Sequence, residues 1–293
     1  MQKYKTLSVY LKEKFKDKIL KLPVYGGFSC PNLKGNNEGC LFCEEGTSDF
    51  AYKNLNIEDQ IIEQIKRLEK VKKANENTKY LAYFQSYTNT YADVDILKEK
   101  YQEALKHEKI VGLVIATRPD CLDDQVIDLL KDINEKTFLW LELGFQTSNE
   151  NTAKLINRGY DNSIFEKALE KLKENNIKVV THVIFGLPSE SKADYFNTIK
   201  YLKKQGIWGI KIHSLYIEKD SKMQEYYYKN PFPIITFEDY VEAVAESLKI
   251  IEEDIVIHRL TGDCLKEKLF EPKWSGDKLK VLSSINKRLS SIY

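Results

Sequence analysis

The strongest constraint on the fold is an alternation of short apolar segments with longer amphipathic segments along most of the chain. Short apolar segments are typical of buried strands, whereas Ile57, Ile61 and Ile65 recur at the spacing of one helix face. We predict strands around 22–24 and at 79–86, 110–117, 137–146, 177–186 and 210–217. Helices are predicted at 56–73, 95–107, 123–134, 162–176, 192–206 and 236–253.

Strands that alternate with helices pair in parallel through right-handed crossovers. At least six such β/α units are present. A doubly wound sheet is one possible arrangement, but so regular a repetition favours an α/β fold built as a partial (β/α)6 TIM-like barrel. We expect a single domain over 1–293, with a core barrel at about 20–255, an N-terminal extension and a C-terminal extension at about 256–293.

The strand predicted at 137–146 carries polar residues on one face. Successive side chains of a strand point to opposite faces. The outward set is apolar and consists of Leu139, Leu141, Leu143 and Phe145. The inward set consists of Trp140, Glu142, Gly144 and Gln146. A carboxylate inside a barrel is unfavourable unless it is paired. Satisfied interior polarity is the ordinary explanation, but a functional role is favoured for Glu142 and Gln146.

Other predicted strands also end in polar side chains: Gln85, Thr88, Asn89, Arg118, His182 and His213. In barrels of this kind the carboxyl ends of the strands build the active site. The sequence therefore predicts a site at this end of the barrel, with Thr88, Asn89 and Arg118 facing the substrate.

Three of the five cysteines lie within FSCPNLKGNNEGCLFC (28–43), at the spacing C-x9-C-x2-C. A structural zinc site would need a fourth ligand, such as a histidine or the distant Cys121. A disulfide is disfavoured by the odd cysteine count and by the lack of a secretory signal. A four-iron four-sulfur cluster normally takes four thiolates, so three would leave one iron open to a small molecule. All three interpretations remain open at this point, and the third is favoured.

The chain resembles the radical S-adenosylmethionine (radical SAM) superfamily, and most closely its YhcC/YtqA-like family. The matching blocks begin with GGFSCPN (26–32), GCLFC (39–43), SDF (48–50), YFQSYTNTYA (83–92) and TRPD (117–120). They continue with ELGFQT (142–147), RGY (158–160), THVIFGLP (181–188), KIHSL (211–215), RLTGD (259–263) and EPKW (271–274). The long cysteine spacing departs from the superfamily's usual C-x3-C-x2-C and is similar to that of the elongator catalytic subunit, which modifies wobble uridines of tRNA. Two departures from the family pattern are Cys264 and Tyr160, the latter in place of an expected His.

The resemblance implies one 4Fe-4S cluster bound by Cys30, Cys40 and Cys43, with S-adenosylmethionine (SAM) held at the open iron. Reductive cleavage of SAM would then yield a 5′-deoxyadenosyl radical. Phe42, Ile184 and Gly186 are expected to line the adenine pocket. Gln85, Glu142, Gln146 and His182 are expected to hold SAM or substrate, and no catalytic acid or base can be assigned.

For the substrate, the resemblance favours tRNA and modification of the C5 side chain of the wobble uridine. Residues 1–21 carry seven lysines and residues 266–293 seven Lys or Arg, which suit phosphate contacts, although the formal net charge is only +1. A radical reaction on a small molecule and a zinc-stabilised binding protein are the alternatives. An unidentified electron donor is implied, no membrane partner is expected, and we expect a cytoplasmic protein.

Overall fold

The computed structural model describes residues 4–35, 39–43, 52–251, 255–262 and 264–292. Two of the resembling blocks fall wholly or partly elsewhere: SDF at 48–50 and the last residue of RLTGD, Asp263, lie outside the described residues. Within the described part of the chain, no helix has both the length and the apolar character needed to cross a membrane.

Seven parallel strands form one curled sheet in the order β1-β2-β3-β4-β5-β6-β8. These strands are β1 Ile19–Val24, β2 Lys79–Phe84, β3 Ile110–Thr117, β4 Phe138–Gln146, β5 Lys178–Phe185, β6 Gly209–Ser214 and β8 Val256–Arg259. A short antiparallel pair, β7 Ile217–Glu218 and β9 Leu269–Glu271, lies outside this sheet. The predicted partial barrel is confirmed.

Ten α-helices are present in the described residues. They are α1 Leu7–Phe15, α2 Ile57–Lys70, α3 Val94–Ala104, α4 Asp124–Lys136, α5 Glu150–Leu155, α6 Asn162–Glu174, α7 Lys192–Gln205, α8 Lys222–Lys229, α9 Phe237–Ile251 and α10 Lys278–Ile292. Local sequence sets their starts, as at α2, where the Asn56 side chain accepts a hydrogen bond from the Asp59 amide. Ile57, Ile61 and Ile65 then point to the sheet and are buried.

The two faces of the sheet belong to different apolar clusters. Leu139, Leu141, Leu143 and Phe145 of β4 belong to the larger cluster, between the outer face of the sheet and the helices. Trp140 belongs to the smaller cluster on the concave face, the side of the sheet that faces the hollow. The predicted alternation of β4 is therefore confirmed.

The N-terminal segment closes the amino end of the hollow. The backbone of Lys5 accepts a hydrogen bond from Ile257 of β8 at 2.8 Å, so the segment before α1 lies beside one edge of the sheet. Helix α1 then packs against β8 and β1, the two edge strands. Its Tyr10 ring lies 5.0 Å from that of Trp208, just before β6. The N-terminal segment thus closes the hollow at the amino end of the sheet. The loops at the carboxyl end carry the candidate site.

Two strand predictions need correction. The run predicted as one strand at 210–217 is divided, because β6 ends at Ser214 and β7 begins at Ile217. The Leu215 amide instead bonds to the Phe185 carbonyl. Sequence analysis also missed β8, which is only four residues long and carries His258 and Arg259 among its apolar residues. A run so short and mixed gives little period-2 signal.

Candidate active site

The cysteine loop, residues 25–43, follows β1 at the carboxyl end of the sheet. Cys30 precedes a 3-10 turn at Pro31–Leu33, and the Cys43 amide donates to the Cys40 carbonyl at 3.1 Å. Cys30 and Cys40 are half-buried, and Cys43 is exposed. The Ser29 carbonyl accepts from the Thr88 amide at 3.1 Å, which joins this loop to the segment after β2.

The cysteine loop is anchored on the segment that follows α5. The Leu41 amide donates to the Ile156 carbonyl at 3.0 Å. The Asn157 side chain donates to the Gly39 carbonyl at 2.7 Å, and the Asn32 side chain donates to the Asn157 carbonyl at 2.7 Å. Amide side chains therefore hold the loop in place where the backbone lacks regular structure.

Arg158, Gly159 and Tyr160 form the adjoining RGY block. Arg158 is 1% exposed and donates to the carbonyls of Phe145 and Thr147, both at 2.9 Å. The Tyr160 hydroxyl donates to the Gly144 carbonyl. Gly159 has φ +83°, and a Cβ there would lie 2.8 Å from Asn32 Oδ1. The block thus ties the end of β4 to the cysteine loop, which is a positioning role.

The thiols suit a thiolate-bound cluster by their chemistry. Asn32 Nδ2 donates to Cys40 Sγ at 3.3 Å, and such donors are typical partners of cluster sulfurs. Burial raises the pKa of the Cys40 thiol, whereas the nearby Arg118 guanidinium and the Asn32 hydrogen bond lower it. Within the described residues, no three His, Cys, Asp or Glu side chains are gathered tightly enough to bind a metal ion.

Phe42 and Ile184 lie in one apolar cluster at the carboxyl end of the sheet. The cluster is built around buried Ile156, Leu187, Leu215, Ile217 and Met223, and Phe42 and Ile184 are partly buried against it. Gly186 has φ +93°, and a Cβ there would come within 2.7 Å of Ile235. Glycine is therefore required at position 186 by backbone conformation and by close packing.

Gln146 ends β4 in an unusual conformation. Its φ is +64°, and the pairing of β4 with β5 shifts register between Gly144 and Gln146. Its Oε1 is buried and has no hydrogen-bond partner among the described residues. A Cβ on Gly144 would lie 2.8 Å from Gln146 Nε2, so the glycine makes room for this amide. Strained residues with unused polar atoms are typical of ligand sites.

Glu142 is the centre of a hydrogen-bonded group on the concave face, which we call the interior cluster: Lys21, Tyr83, Glu142, His182 and Lys211. The Tyr83 hydroxyl donates to Glu142 Oε2 at 2.5 Å, and Lys211 Nζ donates to the same oxygen. His182 Nε2 lies 3.0 Å from Oε2. Trp140 Nε1 donates to Oε1 at 3.2 Å, and Lys21 Nζ is 3.9 Å from Oε1.

Burial and charge set the protonation of the interior cluster. Burial lowers the pKa of Lys211 to about 7, although Glu142 acts in the opposite direction. Burial alone would raise the pKa of Glu142, but Lys211 and Lys21 hold it well below its usual range. Burial and Lys211 lower the pKa of His182 to about 4, so its ring is neutral near pH 7. A neutral His182 donates through Nε2–H to the carboxylate, which leaves Nδ1 as an acceptor.

Sequence analysis identified Glu142 and His182 but missed Lys21, Tyr83 and Lys211. The sequence of β6 could have indicated Lys211. It precedes His213 by two residues, so both side chains point to the same face of the sheet. What the sequence did not show is that Tyr83 of β2 and Lys211 of β6 meet across the hollow. Their side chains are 2.9 Å apart, from hydroxyl oxygen to Nζ.

The remaining predicted residues have varied surroundings. Gln85 follows β2 and is half-buried. Asn89, expected to face substrate, is instead buried and donates to the Ala116 carbonyl at 2.8 Å. Arg118 is bound by the Asp120 carboxylate at 2.8 and 2.9 Å and by the Arg158 carbonyl at 2.9 Å. These contacts position the loops, and the expectation that the two residues face the substrate stays a prediction.

A charged groove of about 600 Å³ opens beside Cys43. It is lined by Cys43, Glu218, Lys219, Asp220, Lys222, Glu267 and Lys268. On the neighbouring helix α8, Tyr228 is 65% exposed, and its ring lies 5.7 Å from that of Phe270. The exposed thiol thus lies in a groove lined by three lysines and three carboxylates.

Comparisons with known proteins agree with this geometry. Residues 34–202 match the family described as the Radical SAM superfamily, and residues 207–291 match the Radical_SAM C-terminal domain. The Bacillus subtilis protein YtqA is 40% identical over 99% of this chain and 90% of its own length. The Escherichia coli protein YhcC is 33% identical over 99% of this chain and 94% of its own length.

Among solved structures, archaeal Elp3 from Methanocaldococcus infernus, with an N-terminal deletion, superposes with a TM-score of 0.72 at 18% identity. The match covers 93% of this chain and 63% of the Elp3 chain. At that identity, the likeness shows the fold alone.

Proposed function

Since this chain belongs to the radical SAM superfamily, we propose that Cys30, Cys40 and Cys43 hold a 4Fe-4S cluster at the carboxyl end of the half-barrel. The observation that carries the proposal is the three-cysteine loop fixed to the segment around Asn157, whose neighbour Tyr160 contacts the end of β4 two residues before the strained Gln146. When bound, such a cluster supplies the electron for reductive cleavage of SAM to methionine and a 5′-deoxyadenosyl radical. The other side chains of the site bind and orient SAM and the substrate, and they shield the radical from competing reactants.

We assign the SAM pocket to side chains at the carboxyl end of the sheet that are not fully engaged within the protein. Phe42 and Ile184 supply an apolar wall for adenine, and Gly186 lets the backbone pack closely there. Gln146 offers a buried carbonyl oxygen to a hydroxyl or ammonium group. Gln85 stands at the end of β2 on the same side of the sheet. Glu142 is fully engaged within the protein, so it orients His182 and Lys211 toward the hollow.

Cysteine variants test the cluster assignment. Anaerobically reconstituted protein is expected to be brown, to hold about four irons and to release 5′-deoxyadenosine from SAM after reduction. Cys30→Ala, Cys40→Ala and Cys43→Ala should each lose iron and this activity, whereas the control Cys264→Ala should retain both. Loss of iron in Cys121→Ala would reveal a fourth protein ligand and contradict the proposal. A colourless protein holding stoichiometric zinc would also contradict it.

We further propose that the enzyme modifies the C5 side chain of a wobble uridine in tRNA. The support is the elongator-like cysteine spacing, the shared fold with Elp3 and the surroundings of Cys43. Lys219, Lys222 and Lys268 are the candidates for phosphate contacts in a groove that also contains Glu218, Asp220 and Glu267. Exposed Tyr228 on the neighbouring helix suits stacking on an unpaired base. Lys14 of α1 lies at the opposite end of the sheet, 4.9 Å from the ring of Phe138 at the start of β4, so it suits contacts with a more distant part of the RNA.

Mass spectrometry of tRNA nucleosides from a deletion strain tests the substrate. We expect one modified wobble uridine to disappear and its unmodified precursor to accumulate. Re-expression of wild-type protein should restore the modification, and Cys40→Ala should not. An unchanged nucleoside profile would refute the tRNA substrate and favour a radical reaction on a small molecule.

A further inference from the structure

The side chain of Asn32 links the cysteine loop to the segment that follows α5. It lies in the 3-10 turn after Cys30 and is 5% exposed. Its Nδ2 donates to the Asn157 carbonyl at 2.7 Å and to Cys40 Sγ at 3.3 Å. An amide nitrogen carries two hydrogens, so these two contacts use both of them.

The orientation of this amide is determined by its neighbours. A carbonyl oxygen only accepts hydrogen bonds, so the atom that faces the Asn157 carbonyl must be Nδ2. Oδ1 borders Gly159, where a Cβ would lie 2.8 Å from Oδ1 and 3.1 Å from Arg118 Nη2. Gly159 therefore leaves room for the Asn32 amide, and one N–H of this amide is directed at Cys40.

A hydrogen bond to a cluster sulfur affects the two redox states of a cluster differently. The reduced cluster carries one more negative charge than the oxidised cluster. An N–H donor therefore stabilises the reduced state more, which raises the reduction potential. The Asn32 amide is preorganised for this effect, because it is buried and its second hydrogen is already held.

We propose that the Asn32 side chain raises the reduction potential of the cluster and so makes the cluster easier to reduce. Asn32 is a positioning residue in this role, because it acts on the cluster through the sulfur of Cys40. The inference rests on the proposed function, since it requires a cluster on Cys30, Cys40 and Cys43. It goes beyond that function by naming a residue that does not ligate iron and yet determines how readily the cluster accepts an electron.

Asn32→Leu tests the proposal, because leucine has nearly the size and shape of asparagine but no N–H donor. Gln60→Leu is the matched control. Gln60 is also a buried amide, 1% exposed, and it anchors the start of the same loop. Its Nε2 donates to the Tyr25 carbonyl at 3.0 Å, and its Oε1 accepts from the Tyr25 amide at 2.8 Å. The control therefore removes loop contacts of similar length that involve backbone atoms rather than sulfur.

The midpoint potential of each full-length, anaerobically reconstituted protein is measured without SAM, by redox titration followed by EPR of the reduced cluster. We expect the ratio of reduced to oxidised cluster at a fixed potential to fall about tenfold in Asn32→Leu. For a one-electron couple this equals a midpoint about 59 mV more negative. Gln60→Leu should titrate like the wild type.

An unchanged midpoint in Asn32→Leu would overturn the proposal. An equal shift in Gln60→Leu would also overturn it, because the cause would then be a loosened loop. Asn32→Ala removes the same donor without placing apolar bulk beside the sulfur, and it should shift the midpoint in the same direction. Loss of iron from both Asn32 variants would show that the side chain holds the cluster rather than sets its potential, which would overturn the proposal as well. A wild-type protein that contains no reducible cluster would instead refute the proposed function.

Discussion

Replacement of Glu142 by Gln provides the sharpest test of the interior cluster. The change keeps the shape of the side chain but removes the charge that Lys211 and His182 contact. It also places an amide N–H₂ among donors, since Tyr83, Trp140, His182 and Lys211 all donate to the carboxylate. Breaking a buried ion pair by removing one partner costs about 3–5 kcal/mol. Lys211 can limit this cost by releasing its proton, because its pKa is already about 7, so we expect about 3 kcal/mol.

Thermal unfolding followed by circular dichroism measures the effect. A chain of 293 residues has an unfolding entropy of about 0.6 kcal/mol/K, so the loss lowers Tm by about 5 °C. Glu242→Gln is the control, because Glu242 pairs with Arg288 at the surface, where such pairs contribute less than about 1 kcal/mol. Lys211→Met completes a double-mutant cycle, and the double variant should lose about 2 kcal/mol less than the sum of the two single variants. Additive losses, or a Glu142→Gln effect no larger than the control, would refute the reasoning.

Three further predictions concern residues around the candidate site. Gly144→Ala should weaken SAM binding, measured by equilibrium dialysis, because the added Cβ displaces the Gln146 amide. The loss in binding free energy should exceed the loss in unfolding free energy. An unchanged affinity would show that Gln146 does not belong to the cofactor site. Arg158→Lys should cost about 2–4 kcal/mol in urea unfolding, because the single nitrogen of lysine cannot replace three donors, Nη1 to the Phe145 carbonyl, Nε to the Tyr160 carbonyl and Nη2 to Asn162 Oδ1; a loss below 1 kcal/mol would argue against the anchoring role. Burial raises the pKa of Glu190 to about 7, so its contribution to stability should fall as the pH rises from about 4.5 to 7. Glu190→Gln should therefore flatten the pH profile of the unfolding free energy over that range. A profile identical to that of the wild type would contradict the assignment.

Much of the framework follows from local pattern. Apolar runs of strand length, separated by helices with spaced isoleucines and asparagine or aspartate caps, are sufficient to indicate a parallel half-barrel. Period-2 alternation in β4 correctly separated Leu141 and Leu143 from Trp140 and Glu142. The same rule failed for β8, whose four residues are too few to show a period.

Within the site, the sequence alone indicated the thiol loop, because C-x9-C-x2-C on a chain with a single local cysteine group restricts the possible chemistry. It also indicated that Glu142 needs a partner, since an unpaired buried carboxylate is unfavourable. Only the tertiary structure identified those partners, because Lys21, Tyr83, His182 and Lys211 come from four different strands and meet by curvature of the sheet. The burial and the pKa values of these side chains are set by all of their neighbours together. They depend on distances that sequence spacing does not encode.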